Sequence, residues 1–196
     1  MKLLTLASFA LLTLAAAAEP PATKPVTLTF FVSGVECVSC VDVICRSVSG
    51  LDGVKDIALT QMIDSYANIT FDPKTVSVHE IAQAIYEAPG LHGRPYEPTL
   101  HLTLPDYAKA DNASKLDALL AKQKPWVTAD LIDKAKGEFI LRFKPLDEDD
   151  KPGPQGWTFF DFAKALHAFA PTVDEGSAWK RFFENPAEEE AKKSAR

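Results

Sequence analysis

The sequence predicts an α+β fold in which one β-α-β-β-α unit occurs twice, and three observations carry that prediction. Hydrophobic periodicity switches between two residues and one helical turn in the order strand, helix, strand, strand, helix. A shift of 72 residues lays the second half of the chain on the first, without a gap from the opening strand to a shared proline. Polar stretches and Pro-Gly pairs stand where the elements must stop.

The first strand is "VTLTFFV", which follows the proline-rich "EPPATKP". Val41, Ile44, Val48 and Leu51 then mark one face of an amphipathic helix. "LDGV" at 51–54 ends it, with Gly53 expected as the cap. Val54–Gln61 and Tyr66–Phe71 alternate as half-buried strands, Ile57 and Leu59 on one face and Ala67, Ile69 and Phe71 on theirs. Val78, Ile81, Ala82 and Ile85 form the apolar face of a second helix, which Pro89-Gly90 stops. A short last strand around Arg94–Glu97 would complete a ferredoxin-like βαββαβ sandwich.

The second copy repeats these positions. Leu116 falls under Ile44, Leu120 under Val48 and Leu131 under Leu59, and "LRFKP" at 141–145 falls under "ITFDP" at 69–73. Phe159, Phe162, Ala163 and Leu166 match the second helix at an offset of 81, and the polar insertion "DEDDKPGPQG" accounts for the nine extra residues. The expected organisation is α+β: tandem ferredoxin-like βαββαβ sandwiches, the second degenerate. Its expected parts are a leader at 1–18, a linker at 19–25, a first copy at 26–97, a second at 98–175 and a tail at 176–196. One continuous α+β domain is the competing organisation.

The leader, "MKLLTLASFALLTLAAAA", has a basic start, an apolar stretch and a small-residue cleavage site, which is the pattern of an export signal. The expectation is a periplasmic or secreted protein with no membrane insertion once that signal is removed. The chain has 196 residues and a formal net charge of −6, and loss of Lys2 makes it one unit more acidic. With no basic stripe, nucleic acid and anionic lipid are excluded as expected partners. The three cysteines are too few for a disulfide framework, and an odd number leaves at least one thiol unpaired within the chain.

Two of those cysteines lie in "SGVECVSCVDVICR", between the first strand and the first helix. The order of elements, with the loop Gly34-Val35-Glu36-Cys37-Val38-Ser39-Cys40, resembles the heavy-metal-associated domain of copper chaperones, metal-pumping ATPases and periplasmic mercury-binding proteins. Leu51-x-Gly53-Val54, "TFDP" at 70–73 and a second helix over Val78–Glu87 extend the resemblance across about seventy residues. Val35 stands where the family's loop carries methionine, and "PGLHGRP" replaces a loop where family members often carry lysine, tyrosine or histidine. The resemblance implies a soft-metal carrier or scavenger, not an enzyme. Its cargo would be Cu(I) first, with Hg(II) or Zn(II) as other ions, and its partner a metal-transporting or metal-accepting protein. The positions under Cys37 and Cys40 in the second copy are Lys109 and Asn112, so that copy is expected to be metal-free.

The chemistry of the residues stands beside the resemblance. Ligation needs thiolate, and a helix start, with its unsatisfied N–H groups and positive dipole end, favours that anion. Two intervening residues let Cys37 and Cys40 converge on one ion, and soft sulfur selects soft cations. Two protein ligands leave an ion reachable, unlike the four that close structural zinc. The same spacing also serves thiol–disulfide exchange, although Glu36 replaces the aromatic usual before that motif and the following elements are β-β-α. A structural disulfide, or a plain interaction module, is the third reading.

Cys45 is expected to act as a small hydrophobe at the edge of the first helix's apolar face, turned away from the pair. His92 is by default a solvated loop residue, but its loop returns beside the cysteines in this fold, which makes it the one histidine able to add a third ligand. His79, His101 and His167 share no spacing and are expected to be structural or surface residues. The acidic run Asp147–Asp150 lacks calcium-loop spacing, and the aromatic residues Trp157, Phe159, Phe160, Phe162 and Phe169 are expected chiefly in the core.

Overall fold

The computed structural model describes residues 24–59, 66–104, 107–109, 112–146, 153–157 and 159–167, together with Phe183 and Pro186. The expected leader, residues 19–23 of the expected linker, the acidic run 147–150, Phe169 and the tail apart from Phe183 and Pro186 lie outside the described residues, as do the side chains of Phe160 and His167.

In chain order the elements are β1 (Val26–Ser33), α1 (Val38–Ser49), β2 (Val54–Leu59), β3 (Tyr66–Phe71), α2 (Val78–Glu87), β4 (Glu97–Thr103), α3 (Asn112–Ala121), β5 (Val127–Asp133), β6 (Glu138–Phe143) and α4 (Phe159–His167). The protein is α+β, as expected. Its six strands form one antiparallel sheet in the order β2-β3-β1-β4-β6-β5. The first four strands in that order have the arrangement of a ferredoxin-like sandwich.

Strand alternation puts Leu28, Phe30 and Val32 of β1 on the same face as Ala67, Ile69 and Phe71, Leu100 and Leu102, and Phe139 and Leu141. All of these join one buried cluster with Ile44 and Val48 of α1, Ile81 and Ile85 of α2, Leu116 of α3 and Phe162 and Leu166 of α4. A Ser77–Glu80 capping box starts α2: Glu80 N donates to the Ser77 hydroxyl at 2.9 Å and Ser77 N donates to the Glu80 carboxylate at 2.6 Å. Trp157 is fully buried beside α4, and its Nε1–H donates to Gln123 Oε1 at 2.7 Å. The aromatic residues described here are therefore core, as expected.

Three local expectations are corrected. The buried face of α1 is Cys40, Ile44 and Val48, so Cys40 rather than Val41 faces the sheet. The helix is capped by Gly50, not Gly53. Gly53 instead makes the turn into β2 at φ +97°, where a Cβ would sit 2.7 Å from Thr75 Cβ. The expected last strand at Arg94–Glu97 is instead β4, which begins only at Glu97 and runs to Thr103.

That single strand serves both neighbours. Its start pairs with β1 (Phe31↔Thr99, Val32↔Pro98, Ser33↔Glu97), and Thr99–Thr103 pair with Arg142–Glu138 of β6. Leu102 also bridges Phe183, whose ring packs 4.9 Å from that of Phe159. The sheet order reads the same when β1 is exchanged with β4, β3 with β6 and β2 with β5. No helix among the described residues is long and apolar enough to cross a membrane.

Candidate metal centre

The site forms where β1 hands the chain to α1. Gly34, at φ +86°, turns the chain out of the sheet, and a Cβ there would meet Pro95 O at 3.1 Å and the Tyr96 ring at 3.5 Å. Val35, at the place of the family's methionine, is partly buried and packs against the core from this loop. Cys37 is the N-cap of α1, with extended backbone at φ −153°, and its sulfur accepts from Cys40 N at 3.3 Å. A thiol thus takes the capping place usually filled by serine or aspartate.

Cys40 lies one turn in, with its side chain against the sheet and no exposed surface, while Cys37 is half-buried above it. Their Sγ atoms are 3.0 Å apart. The loop between α2 and β4 supplies the third group: His92 Nε2 lies 3.4 Å from Cys37 Sγ. The three possible ligand atoms of Cys37, Cys40 and His92 all fall within 4.8 Å of one another. Glu36 Oε2 lies 4.0 Å from the other ring nitrogen, Nδ1.

Electrostatics distinguish the two thiols. Burial alone would raise Cys40, but hydrogen bonding from the Tyr96 hydroxyl and from Cys37, then from the backbone N–H groups of Glu36 and Cys37, outweighs it. The thiol falls from 9.0 to about 6. The sulfur lies close beneath the surface, so it is covered without being deep. Tyr96 itself is pushed up to about 12, first by burial and then by donating toward Cys40. Its hydroxyl has no partner within full hydrogen-bond geometry, and the groups that act on it are the Cys40 thiol and the backbone of Leu91.

Cys45 stays apart, half-buried, with its thiol raised by burial and by nearby Asp42. Among the described residues it joins no metal-capable group. His79 is buried to 1% on α2, and His101 stacks on Phe31 at 3.6 Å across the sheet. Neither comes near the cysteines, in keeping with structural roles. Lys109 and Asn112 stand before and at the start of α3, without thiols.

The sequence reading missed Tyr96 and Glu36. Tyr96 could have been found from pairing, since the β4 residue that follows it, Glu97, lies opposite Ser33, and this brings the ring against Gly34 at the head of the cysteine loop. Glu36 had only its place before Cys37 to announce it.

Chemically, the group offers two sulfurs and one imidazole to a soft ion. Metal–sulfur bonds of about 2.3 Å would ask the sulfurs to move apart, and Cys37, at the loop end of the pair, is the one free to move. Val38, between the cysteines, and Leu91, beside His92, are exposed at 61% and 45%, so apolar side chains stand at the entrance beside the exposed Glu36 and His92.

The model of the heavy-metal-associated domain matches residues 29–89, which bears out the resemblance read from the loop and its flanking elements. One similar solved structure is described as the water soluble region of P-type ATPase CopA from Bacillus subtilis. It is 16% identical, covering 62% of this chain and 78% of that one, with a TM-score of 0.35. No curated protein matches the chain.

Proposed function

We propose that this protein, with a heavy-metal-associated domain over residues 29–89, is an exported carrier or scavenger of a soft metal ion, with Cu(I) as the preferred cargo and Hg(II) the next. One observation carries the reading: ligand atoms of Cys37, Cys40 and His92 converge within 4.8 Å at a helix start. The cysteines are the principal ligands and His92 adds a third. Zinc fits less well, because structural zinc is held by four closed ligands.

Transfer would proceed by ligand exchange. A partner's thiolate enters at the open side, shares the ion with Cys37 and Cys40, and leaves with it. The partner is a metal-transporting or metal-accepting protein, and the apolar side chains of Val38 and Leu91 at the entrance suit contact with it. The pattern of the first eighteen residues supports an export signal, and with it work in the periplasm or outside the cell. No chemical reaction is needed, so the protein acts as a carrier rather than an enzyme. The segment from β4 to α4 is a second, metal-free copy of the first unit, fused through β4. The sheet order and the matching positions Leu116, Leu120 and Leu141 support that history.

The test is a competition titration of the reduced protein with Cu(I), Hg(II) and Zn(II) beside the Cys37→Ser variant. One soft ion bound per chain and lost in the variant supports the reading; equal binding by both proteins removes it. The sulfur separation of 3.0 Å also favours a second reading, thiol–disulfide exchange. Catalytic reduction of insulin with turnover would select it.

A further inference from the structure

Resting on the metal-site reading above, we propose that Glu36 is a positioning residue that orients His92, so that the imidazole offers Nε2 to an ion held by Cys37 and Cys40. A neutral imidazole carries one N–H and one lone pair. The nitrogen that binds metal is set by the bond the other one makes, most often to a carboxylate or a carbonyl. Here the two nitrogens face different groups: Nε2 is 3.4 Å from Cys37 Sγ, and Nδ1 is 4.0 Å from Glu36 Oε2. Among the described residues Glu36 is the one carboxylate within 4.0 Å of that ring.

His92 needs such a restraint. Its side chain is 42% exposed, in a loop turned by Gly93 at φ +73° and by Gly90, whose missing Cβ would otherwise sit 2.3 Å from Arg94 O. Glu36 immediately precedes Cys37, so its carboxylate moves with the ligand loop and couples the α2–β4 loop to it. The 4.0 Å separation is longer than a hydrogen bond, and a small rotation of either exposed side chain closes it; Nδ1–H then donates to Glu36 and leaves the Nε2 lone pair for the sulfurs. The carboxylate also makes the imidazole a stronger donor.

The experiment compares native protein with Glu36→Ala, Glu36→Gln, His92→Ala and Cys37→Ser, all reduced. Each is titrated with Cu(I) against a colorimetric chelator, and X-ray absorption and nitrogen NMR of His92 are recorded on the Cu(I)-loaded samples. The expected result is a nitrogen scatterer in the native protein, with Nε2 bound and Nδ1 protonated. Glu36→Ala should weaken binding about tenfold, at the low end of the range for outer-shell partners, and mix the two ring tautomers. Glu36→Gln, which keeps an acceptor, should restore the native tautomer and most of the affinity. Native affinity and a native tautomer in Glu36→Ala would overturn the proposal. So would sulfur-only coordination in native protein whose binding Cys37→Ser still abolishes, and in that case the metal reading stands. Native-like binding by Cys37→Ser instead removes the metal reading itself.

Discussion

The buried hydroxyl of Tyr96 has no partner in full hydrogen-bond geometry, yet hydrogen bonding with it is the strongest of the influences that lower the Cys40 thiol. Cys40 accordingly has its thiol lowered to about 6, so at neutral pH it is already the anion that metal needs. The ultraviolet thiolate band of the reduced protein should therefore rise with a midpoint near pH 6. Tyr96→Phe should move that midpoint upward, because it deletes the donor while keeping the ring. An unmoved midpoint would show that Tyr96 plays no part. The linkage has a definite sign: the folded thiol is lower than the unfolded one, so its contribution to stability is complete above about pH 9 and lost as pH falls through about 6.

His79 gives the opposite kind of dependence. It is held low chiefly by burial, opposed by its bond with Lys144 O (Nε2 at 2.7 Å) and by the charge of Glu80. Its Nδ1 is buried without a partner and faces Gly156, where even a Cβ would come within 2.5 Å. The folded form prefers neutral imidazole, so stability from this residue is present above the unfolded value of 6.5 and is lost as pH drops below it. Melting temperatures at pH 7.5 and 5.0 should differ more for native protein than for His79→Gln. Equal differences would mean that this ring carries no pH dependence.

Two glycines with positive φ separate backbone strain from collision. Gly53 needs φ +97° and has Thr75 Cβ 2.7 Å from where a Cβ would lie, whereas Gly93 needs φ +73° with nothing within 4 Å. Gly93→Ala should cost about 1 kcal/mol in urea unfolding, the left-handed penalty alone. Gly53→Ala should cost roughly twice that or more, since steric repulsion adds to strain. The reverse ranking would contradict the turn assigned to Gly53.

Trp157 and Gln123 form a buried polar pair, with Nε1–H donating to Oε1 at 2.7 Å. Trp157→Phe leaves the Gln123 carbonyl without its donor and should cost about 1–3 kcal/mol. Adding Gln123→Leu removes the orphan and should recover part of that loss. A double variant as unstable as the sum of the two singles would refute coupling between them.

Much of this was legible from residue pattern. Ile81, Ala82 and Ile85 mark α2 because helical spacing survives in a helix packed on one side only, and β3 follows the alternation of Ala67, Ile69 and Phe71. Cys37 and Cys40 announce themselves by spacing and by their place before a helix. The displaced face of α1 was not legible, because Cys40 reads as a functional residue when it is also the first core residue of that helix. Gly50 and Gly53 compete for one cap, and only the proximity of Thr75 separates them. His92 was legible only through the expected return of its loop to the cysteines, whereas Tyr96 is brought there by tertiary pairing that no spacing rule announces, and nothing in the sequence marks Glu36 beyond its place before Cys37.

The dual service of β4 has a mechanical consequence. Cutting the chain on either side of it would leave one half with a raw sheet edge and missing backbone partners, an exposed surface prone to mispairing. Denaturation should accordingly be one concerted event, with probes near Cys40 and near Trp157 reporting the same midpoint. The thiol end cannot melt privately while the far end stays intact, so damage to the cysteine-free half reaches the ion-gripping loop through a common plank.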